Sequence, residues 1–397
     1  MAVAQDLPRP RLGDRSLFPD LRATAYLHHA GISPLSSRVR AAVERVVRES
    51  AEEGAPAFGR RLAEREALRA QLGSFLGAAD AEHEIALVPS TMYGLAAIAL
   101  GIPWRAGDRV LVFEGEYPTN VSIWQRAAAL FELRITLLPA SDFAAPGGAD
   151  WTRFDAELAR GGVRLVAVSA VQFSTGLRMP LGDMAARCHR HGAELAVDAV
   201  QALGAAPFDV TALDVDYLAA GAHKWLMGTD GAGVVYLRRE LARALRPAFA
   251  GAMSHEGGAE LFFGGPGQLR YDRPLRDDAR VLEGGMLSTA GCAGLAASLS
   301  ILTELGVDAI DAHIQRYGDA LEAALCDLGF TSLRARDAAR RSGILSFLPP
   351  TGQFGPQLAA ALGERGIVCA APDGALRFSP HFWNSLDEIP KIVAALR

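Results

Sequence analysis

The stretch LAVDAVQALGAAPFDVTALDVDYLAAGAHK, Leu195–Lys224, ends one apolar strand on an aspartate and sets a lysine just beyond a second. Each residue alone has an ordinary reading, since strand-end aspartates cap loops and a single lysine usually lies in solvent. The pair says more. Lys224 stands in Gly221-Ala222-His223-Lys224-Trp225, where small, aromatic and apolar neighbours make a poor solvated face and a good closed pocket. Desolvation in such a place lowers an amine's pKa and leaves it nucleophilic. A carboxylate that holds a ring nitrogen protonated and an amine that forms a Schiff base with an aldehyde are the two groups pyridoxal 5'-phosphate requires, because the protonated ring then accepts carbanion electrons.

Outward from that stretch, apolar runs at Ile85–Val88, Arg109–Phe113, Leu165–Val168 and Leu195–Val197 alternate with longer helical patterns. The alternation predicts a mostly parallel sheet covered by helices. Ahead of it, Leu35–Leu76 reads as two helices, capped at Ser36 or Ser37 and broken at Gly54-Ala55-Pro56. Beyond Gly251 a glycine-rich passage, Gly257-Gly258 and Gly264-Gly265-Pro266-Gly267, reads as loop. The C-terminal part predicts a compact α+β unit: strands at Ile344–Phe347, Ile367–Ala370 and Leu376–Ser379, helices at Pro356–Arg365 and at the C-terminus. Ser385 and Glu388 have the spacing of a capping box for the last helix.

With 397 residues and 50% hydrophobic content the chain can bury a large core in two lobes. A formal net charge of −5, with no basic run interleaved with aromatics, argues against nucleic acid as a partner. Four scattered cysteines, Cys188, Cys292, Cys326 and Cys369, form neither a CxxC pair nor a metal-ligand array, so no metal is expected and a cytoplasmic location is the simplest reading. The N-terminal MAVAQDLPRPRLGDR lacks the apolar core of a secretory signal, and no apolar run is long enough to span a membrane. Gly228-Thr229-Asp230-Gly231-Ala232-Gly233 has the look of a dinucleotide loop, yet it leads into the strand Val234–Leu237 instead of opening a helix, which argues against a nicotinamide oxidoreductase.

Asp198-Ala199-Val200-Gln201 followed by Ala222-His223-Lys224-Trp225 resembles the signature of the class V aminotransferases, a family that includes cysteine desulfurases, isopenicillin N epimerase and kynureninase-like enzymes. The resemblance runs from about Tyr26 to the C-terminus. It implies a fold type I, pyridoxal-phosphate-dependent α/β transferase with a mostly parallel central sheet and a smaller α+β C-terminal domain. Residues 24–256 then form the large cofactor-binding domain, and residues 1–23 with 268–397 the small one. By the same resemblance Lys224 carries the cofactor, Asp198 pairs with its ring nitrogen, Gln201 approaches the ring oxygen and His223 the phosphate.

Further segments fall into place beside these. At Val88-Pro89-Ser90-Thr91-Met92-Tyr93-Gly94 a strand gives way to a helical pattern, and free amides at a helix N-terminus attract phosphate. Ser90, Thr91 and the backbone amide of Met92 are the candidates; an ordinary N-cap is the competing reading. The resemblance puts Tyr117 over the pyridoxal ring, where cysteine desulfurases carry histidine, and Gln172 near the ring oxygen and substrate. It puts Arg377 on the substrate carboxylate, which a planar guanidinium grips with two parallel hydrogen bonds. Gly285 and Met286 match a loop that crosses a homodimer interface to the partner's phosphate, with Met286 standing where threonine is usual. His28, His381 and Trp383 are expected near the pocket by family position.

The activity so implied is that of an enzyme acting on an amino acid or related amine through a Cα carbanion, by aminotransferase or Cα/Cβ lyase chemistry. Epimerisation or racemisation, cysteine desulfurase or selenocysteine lyase activity, and a non-catalytic pyridoxal-binding role are the alternatives. Desulfuration requires a mobile nucleophilic thiol. Cys369 lies in the apolar pattern Gly366-Ile367-Val368-Cys369-Ala370 and reads as structural, which argues against that branch.

Overall fold

The structure is a computed structural model that describes residues 7–145 and 148–397. Its centre is a seven-stranded sheet. In chain order the strands are β2 (Ile85–Val88), β3 (Arg109–Phe113), β4 (Arg134–Leu138), β5 (Val163–Ser169), β6 (Glu194–Asp198), β7 (Tyr217–Gly221) and β8 (Gly233–Leu237), after a short N-terminal β1 (Ala25–Tyr26) that lies elsewhere. They are arranged β2-β8-β7-β6-β5-β3-β4, and β8 alone runs antiparallel to its neighbours. Helices cover both faces, so the central strands are mostly apolar and their residues alternate between two cores, while the edge strand β4 is only partly buried. Leu195 and Val197 pack into one with Val166 and Val168, whereas Ala196 packs into the other with Ala167 and Ala219.

The two N-terminal helices form at Ser37–Glu53 and Phe58–Leu76, with Ser36 accepting from the Val39 amide as the cap. The C-terminal unit has its own core of Leu345, Phe347, Leu376 and Phe378, built on β10 (Leu345–Leu348) between β9 (Thr331–Ser332) and β12 (Leu376–Phe378). β11 (Ile367–Val368) instead pairs in parallel with β1, so the start of the chain is fastened to its end. The expected capping box departs from the reading. Ser385 caps a short 3-10 turn by accepting from Asp387, while the Glu388 carboxylate turns inward to Asn384 and the buried Tyr317 hydroxyl. A buried hydroxyl from a distant helix outcompetes the local backbone for that carboxylate.

Within the decisive stretch, Gly204 joins the two halves. Its φ is +97°, and a Cβ there would lie 2.2 Å from the Trp225 carbonyl oxygen. Only glycine lets the segment after Asp198 pack this closely on the turn after Lys224.

Candidate active site

The parallel strands β2, β3, β5, β6 and β7 all end at one edge, and the segments that leave them converge there, as ligand sites do in open α/β sheets. A cavity of about 430 Å³ opens at this edge. Ser90, Thr91 and Met92 line it from the turn after β2, Tyr117 from the turn after β3, and Asp198 and Gln201 from the end of β6. His223 and Lys224 enter from the turn after β7, and Arg377 closes the cavity from β12 of the small unit. A larger depression of about 920 Å³, between Phe75, Phe208 and Leu299, carries three carboxylates but no amine, imidazole or thiol, so the chemistry belongs to the smaller cavity.

Asp198 is buried and its Oδ1 accepts only from the Val200 amide, at 3.0 Å. Burial raises its pKa to about 6, against the pull of that amide and of Lys224. Such a carboxylate is stabilised by any cationic N–H brought against it. Burial lowers the pKa of Lys224; Asp198 opposes the shift and Arg377 adds to it. The Lys224 amine faces the Tyr117 ring, 5.6 Å from its centroid. Its backbone is pinned from the N-terminal segment, where the Ser33 amide donates to the His223 carbonyl and the Ser33 hydroxyl to the Lys224 carbonyl, at 2.8 and 2.6 Å.

Ser90 caps the helix Thr91–Gly101 by accepting from the Tyr93 amide at 3.1 Å, and the Thr91 hydroxyl accepts from the Gly221 amide at 2.8 Å. Both hydroxyl hydrogens remain for an anion at the helix N-terminus, beside His223. Arg377 is 5% exposed; one of its nitrogens donates to the Phe173 carbonyl at 2.7 Å and its Nε has no partner. Burial alone pulls its pKa down to about 10, so the cavity holds a guanidinium that lacks a carboxylate.

Other residues fall differently from the sequence reading. Gln172 is not on the cavity wall: its amide donates to the buried carboxylate of Glu116 at 3.1 Å, which draws it behind the surface. Gln201 is on the wall, but its amide is also part of the frame, donating to the Ala30 carbonyl and accepting from the Trp225 indole. Gly285 and Met286 lie away from this cavity, Met286 on the surface at 74% exposure. His381 and Trp383 are buried, His381 against the Trp225 carbonyl, and the His28 ring sits where a Cβ on Gly31 would be. Ala30, Gly31, Thr119, Phe173, Val200 and Pro372 also line the wall and are not among the residues expected from the sequence. Composition carries one further plain signal. The chain contains two lysines, and the other, Lys391, is exposed on the C-terminal helix, leaving Lys224 as the one lysine at the cavity.

A buried carboxylate for a ring nitrogen, a desolvated lysine for an aldehyde and a hydroxyl-bearing helix N-terminus for a phosphate fit pyridoxal phosphate. The fold and the site together are those of a fold type I pyridoxal-phosphate-dependent enzyme. The class V aminotransferase profile matches residues 25–378, and the chain belongs to that family. A cysteine desulfurase from Dickeya dadantii is 31% identical, with 94% of this chain and 85% of the relative aligned. Among solved structures, the cystine C–S lyase C-DES in complex with its product cysteine persulfide matches at 25% identity and a TM-score of 0.84, covering 96% of this chain and 98% of that one. The cysteine desulfurase CsdA from Escherichia coli matches at 25% identity and 0.83, covering 96% of both.

Proposed function

We propose that the protein is a C–S lyase that eliminates the β-substituent of a sulfur-containing α-amino acid, of the cysteine or cystine type, without a cysteine nucleophile of its own. The observation that carries this reading is the position of Cys369. It packs against the core of the small unit, burial pushes its thiol up to about 12, and no cysteine is on the wall of the cavity among the described residues. Desulfuration needs an accessible thiolate to take the sulfur; elimination needs a base, a carboxylate clamp and an electron sink.

Pyridoxal phosphate, when bound, supplies the electron sink that stabilises a carbanion at Cα. Asp198 would keep its ring nitrogen protonated, and Tyr117 would supply an aromatic wall facing Lys224. Ser90, Thr91, the Met92 amide and His223 would hold the phosphate, and Gln201 would hydrogen-bond the ring's oxygen. Arg377 binds the substrate carboxylate and orients the Cα–H bond. Lys224, neutral at lower pH than a solvated amine, takes the Cα proton. With that proton removed, the Cβ–S electron pair would leave on sulfur as Cα=Cβ forms, and water would convert the unsaturated amine to pyruvate and ammonium. The enzyme works as a cytoplasmic homodimer in which Gly285 and Met286 face the partner's phosphate site, a role their exposure supports. Residues 24–256 hold the cofactor, and residues 268–397 with the N-terminal arm bring in the substrate clamp.

A second reading, cysteine desulfurase, is favoured by the Dickeya dadantii relative. One experiment separates the two. Purified, cofactor-loaded protein is incubated with cysteine, cystine and unsubstituted alanine, and products and protein thiols are followed. Pyruvate and ammonia in equal amounts from the sulfur amino acids support elimination; alanine as the product, with a persulfide on the chain, overturns it.

A further inference from the structure

Glu116 precedes Tyr117 in the turn after β3, and the two side chains diverge. Tyr117 is half exposed over the cavity, whereas Glu116 is buried beneath it. Gly115, at φ +79°, supplies the turn that sends the glutamate inward, a backbone conformation that residues with a Cβ rarely adopt. The carboxylate meets four donors. Its Oε1 accepts from the Ser169 amide at 2.7 Å and from Gln172 Nε2 at 3.1 Å; its Oε2 accepts from Asn120 Nδ2 at 3.1 Å and contacts the Ser169 hydroxyl. Ser169 is the last residue of β5 and pairs in register with Asp198, whose carbonyl accepts from the Ala170 amide at 2.8 Å. The turn is therefore tied to the same strand end that positions Asp198. Burial, with Asp198 adding to it, pushes the Glu116 carboxyl up to about 7.

We propose that Glu116 is a positioning residue of the cofactor site, whose buried carboxylate locks the turn to the end of β5 and so fixes Tyr117 across the cavity from Lys224. It touches neither substrate nor cofactor. A buried carboxylate with four neutral donors is expensive to maintain unless the geometry it imposes is used, and the residue it holds in place is the aromatic wall. Other members of the cluster are held by the same network: Asn120 Oδ1 accepts from the Trp124 indole at 3.2 Å, so the first turn of the following helix moves with the carboxylate.

The inference rests on the reading of Tyr117 as the ring-covering residue, and a double-mutant cycle on cofactor affinity separates the two. Cofactor-free parent, Glu116→Gln, Tyr117→Ala and the double variant are titrated with pyridoxal phosphate, following cofactor absorbance and protein fluorescence. Tyr117→Ala is expected to weaken binding about 10-fold, the upper range for an aromatic pair. Glu116→Gln, which puts an NH₂ group against donors, is expected to weaken binding by a similar factor in the parent and by less in the Tyr117→Ala background. An equal cost in both backgrounds overturns the positioning role while leaving Tyr117 in place. Unchanged affinity in Tyr117→Ala overturns both readings. Should Glu116→Gln not fold, Ser169→Ala removes only the hydroxyl contact and enters the same cycle; a smaller cost in the Tyr117→Ala background supports the proposal and an equal one overturns it.

Discussion

The floor of the cavity and its rim are built by different means. Asp198, Thr91 and Lys224 sit at or just after the ends of strands in a seven-stranded sheet, where ladder register fixes each position. Pro372 and Arg377 come from a short turn and the three-residue β12 of a separate, smaller sheet. On the function proposed above, the floor would carry groups common to any reaction of the cofactor, and the rim the group that selects what enters. Substitutions on the floor should therefore abolish chemistry on every substrate, whereas those on the rim should discriminate among substrates.

The largest effect is expected at Lys224. Lys224→Ala should lower turnover by roughly 10³-fold or more on any amino acid, since the general base and the covalent anchor are lost together. Borohydride reduction of the loaded parent followed by peptide mapping should place the pyridoxyl group on Lys224. An adduct on Lys391 would remove Lys224 from the mechanism and break the distinction between floor and rim.

Asp198→Asn comes next. It should keep the cofactor and lose roughly 10²- to 10³-fold in turnover, the scale for removing one preorganised electrostatic partner. Its pH signature has a definite sign. The Asp198 carboxyl is raised in the folded chain to about 6 from an ordinary 3.8, so its contribution to stability is present below the unfolded value and lost as pH rises through the folded one. Between pH 4 and 6 the cofactor-free parent should lose melting temperature relative to Asp198→Asn. A constant gap between the two proteins over that range would contradict the burial argument.

Arg377 tests the rim. Arg377→Met keeps the stem but not the charge, and should raise KM for α-amino acids about 10- to 100-fold, equivalent to about 1.5 to 3 kcal/mol for a hydrogen bond to a charged group. Amines without a carboxylate should be processed as by the parent. Because the guanidinium is buried without a counter-charge, the substitution should leave thermal stability unchanged or raised. Equal losses on amino acids and amines would place Arg377 on the floor's side of the comparison.

The floor was also the part legible from local sequence pattern, whereas Arg377 on the rim was expected only through the family resemblance. An apolar run that ends in aspartate and another followed by lysine are local patterns, and strand periodicity converts them into positions. What is not written locally depends on partners far away in the chain. The strand at Ile367–Val368 lies where one is expected, but its partner β1, some 340 residues earlier, has only two residues and leaves no periodic trace. Gln172 looked like a pocket donor until Glu116, from another strand's turn, claimed its amide. Glu388 had the spacing of a capping box, and Tyr317 on a separate helix took the carboxylate. Polar side chains are assigned by whichever buried partner reaches them, and sequence spacing does not record that competition.

Cys369 carries the smallest expected effect and the sharpest decision between branches of the family. It follows β11 and precedes Ala370, which exchanges hydrogen bonds with Arg377 at 3.1 and 2.7 Å, so the backbone beside the thiol is tied to the strand bearing Arg377. Only Ala371–Ala375 intervene, and three of those residues form a 3-10 turn, which leaves no loop long enough to carry the thiol to the cavity. Burial holds the thiol protonated at neutral pH, and a protonated thiol is a poor nucleophile. Cys369→Ala should therefore lower stability by about 1 kcal/mol through the small void it leaves, while turnover per folded, cofactor-loaded molecule stays near the parent's. Thermal melts and product assays on the same preparation check both halves. Complete loss of turnover, together with a persulfide trapped on Cys369 of the parent, would move the reactive group from the substrate's own sulfur to the rim of the protein and restore desulfuration as the reaction.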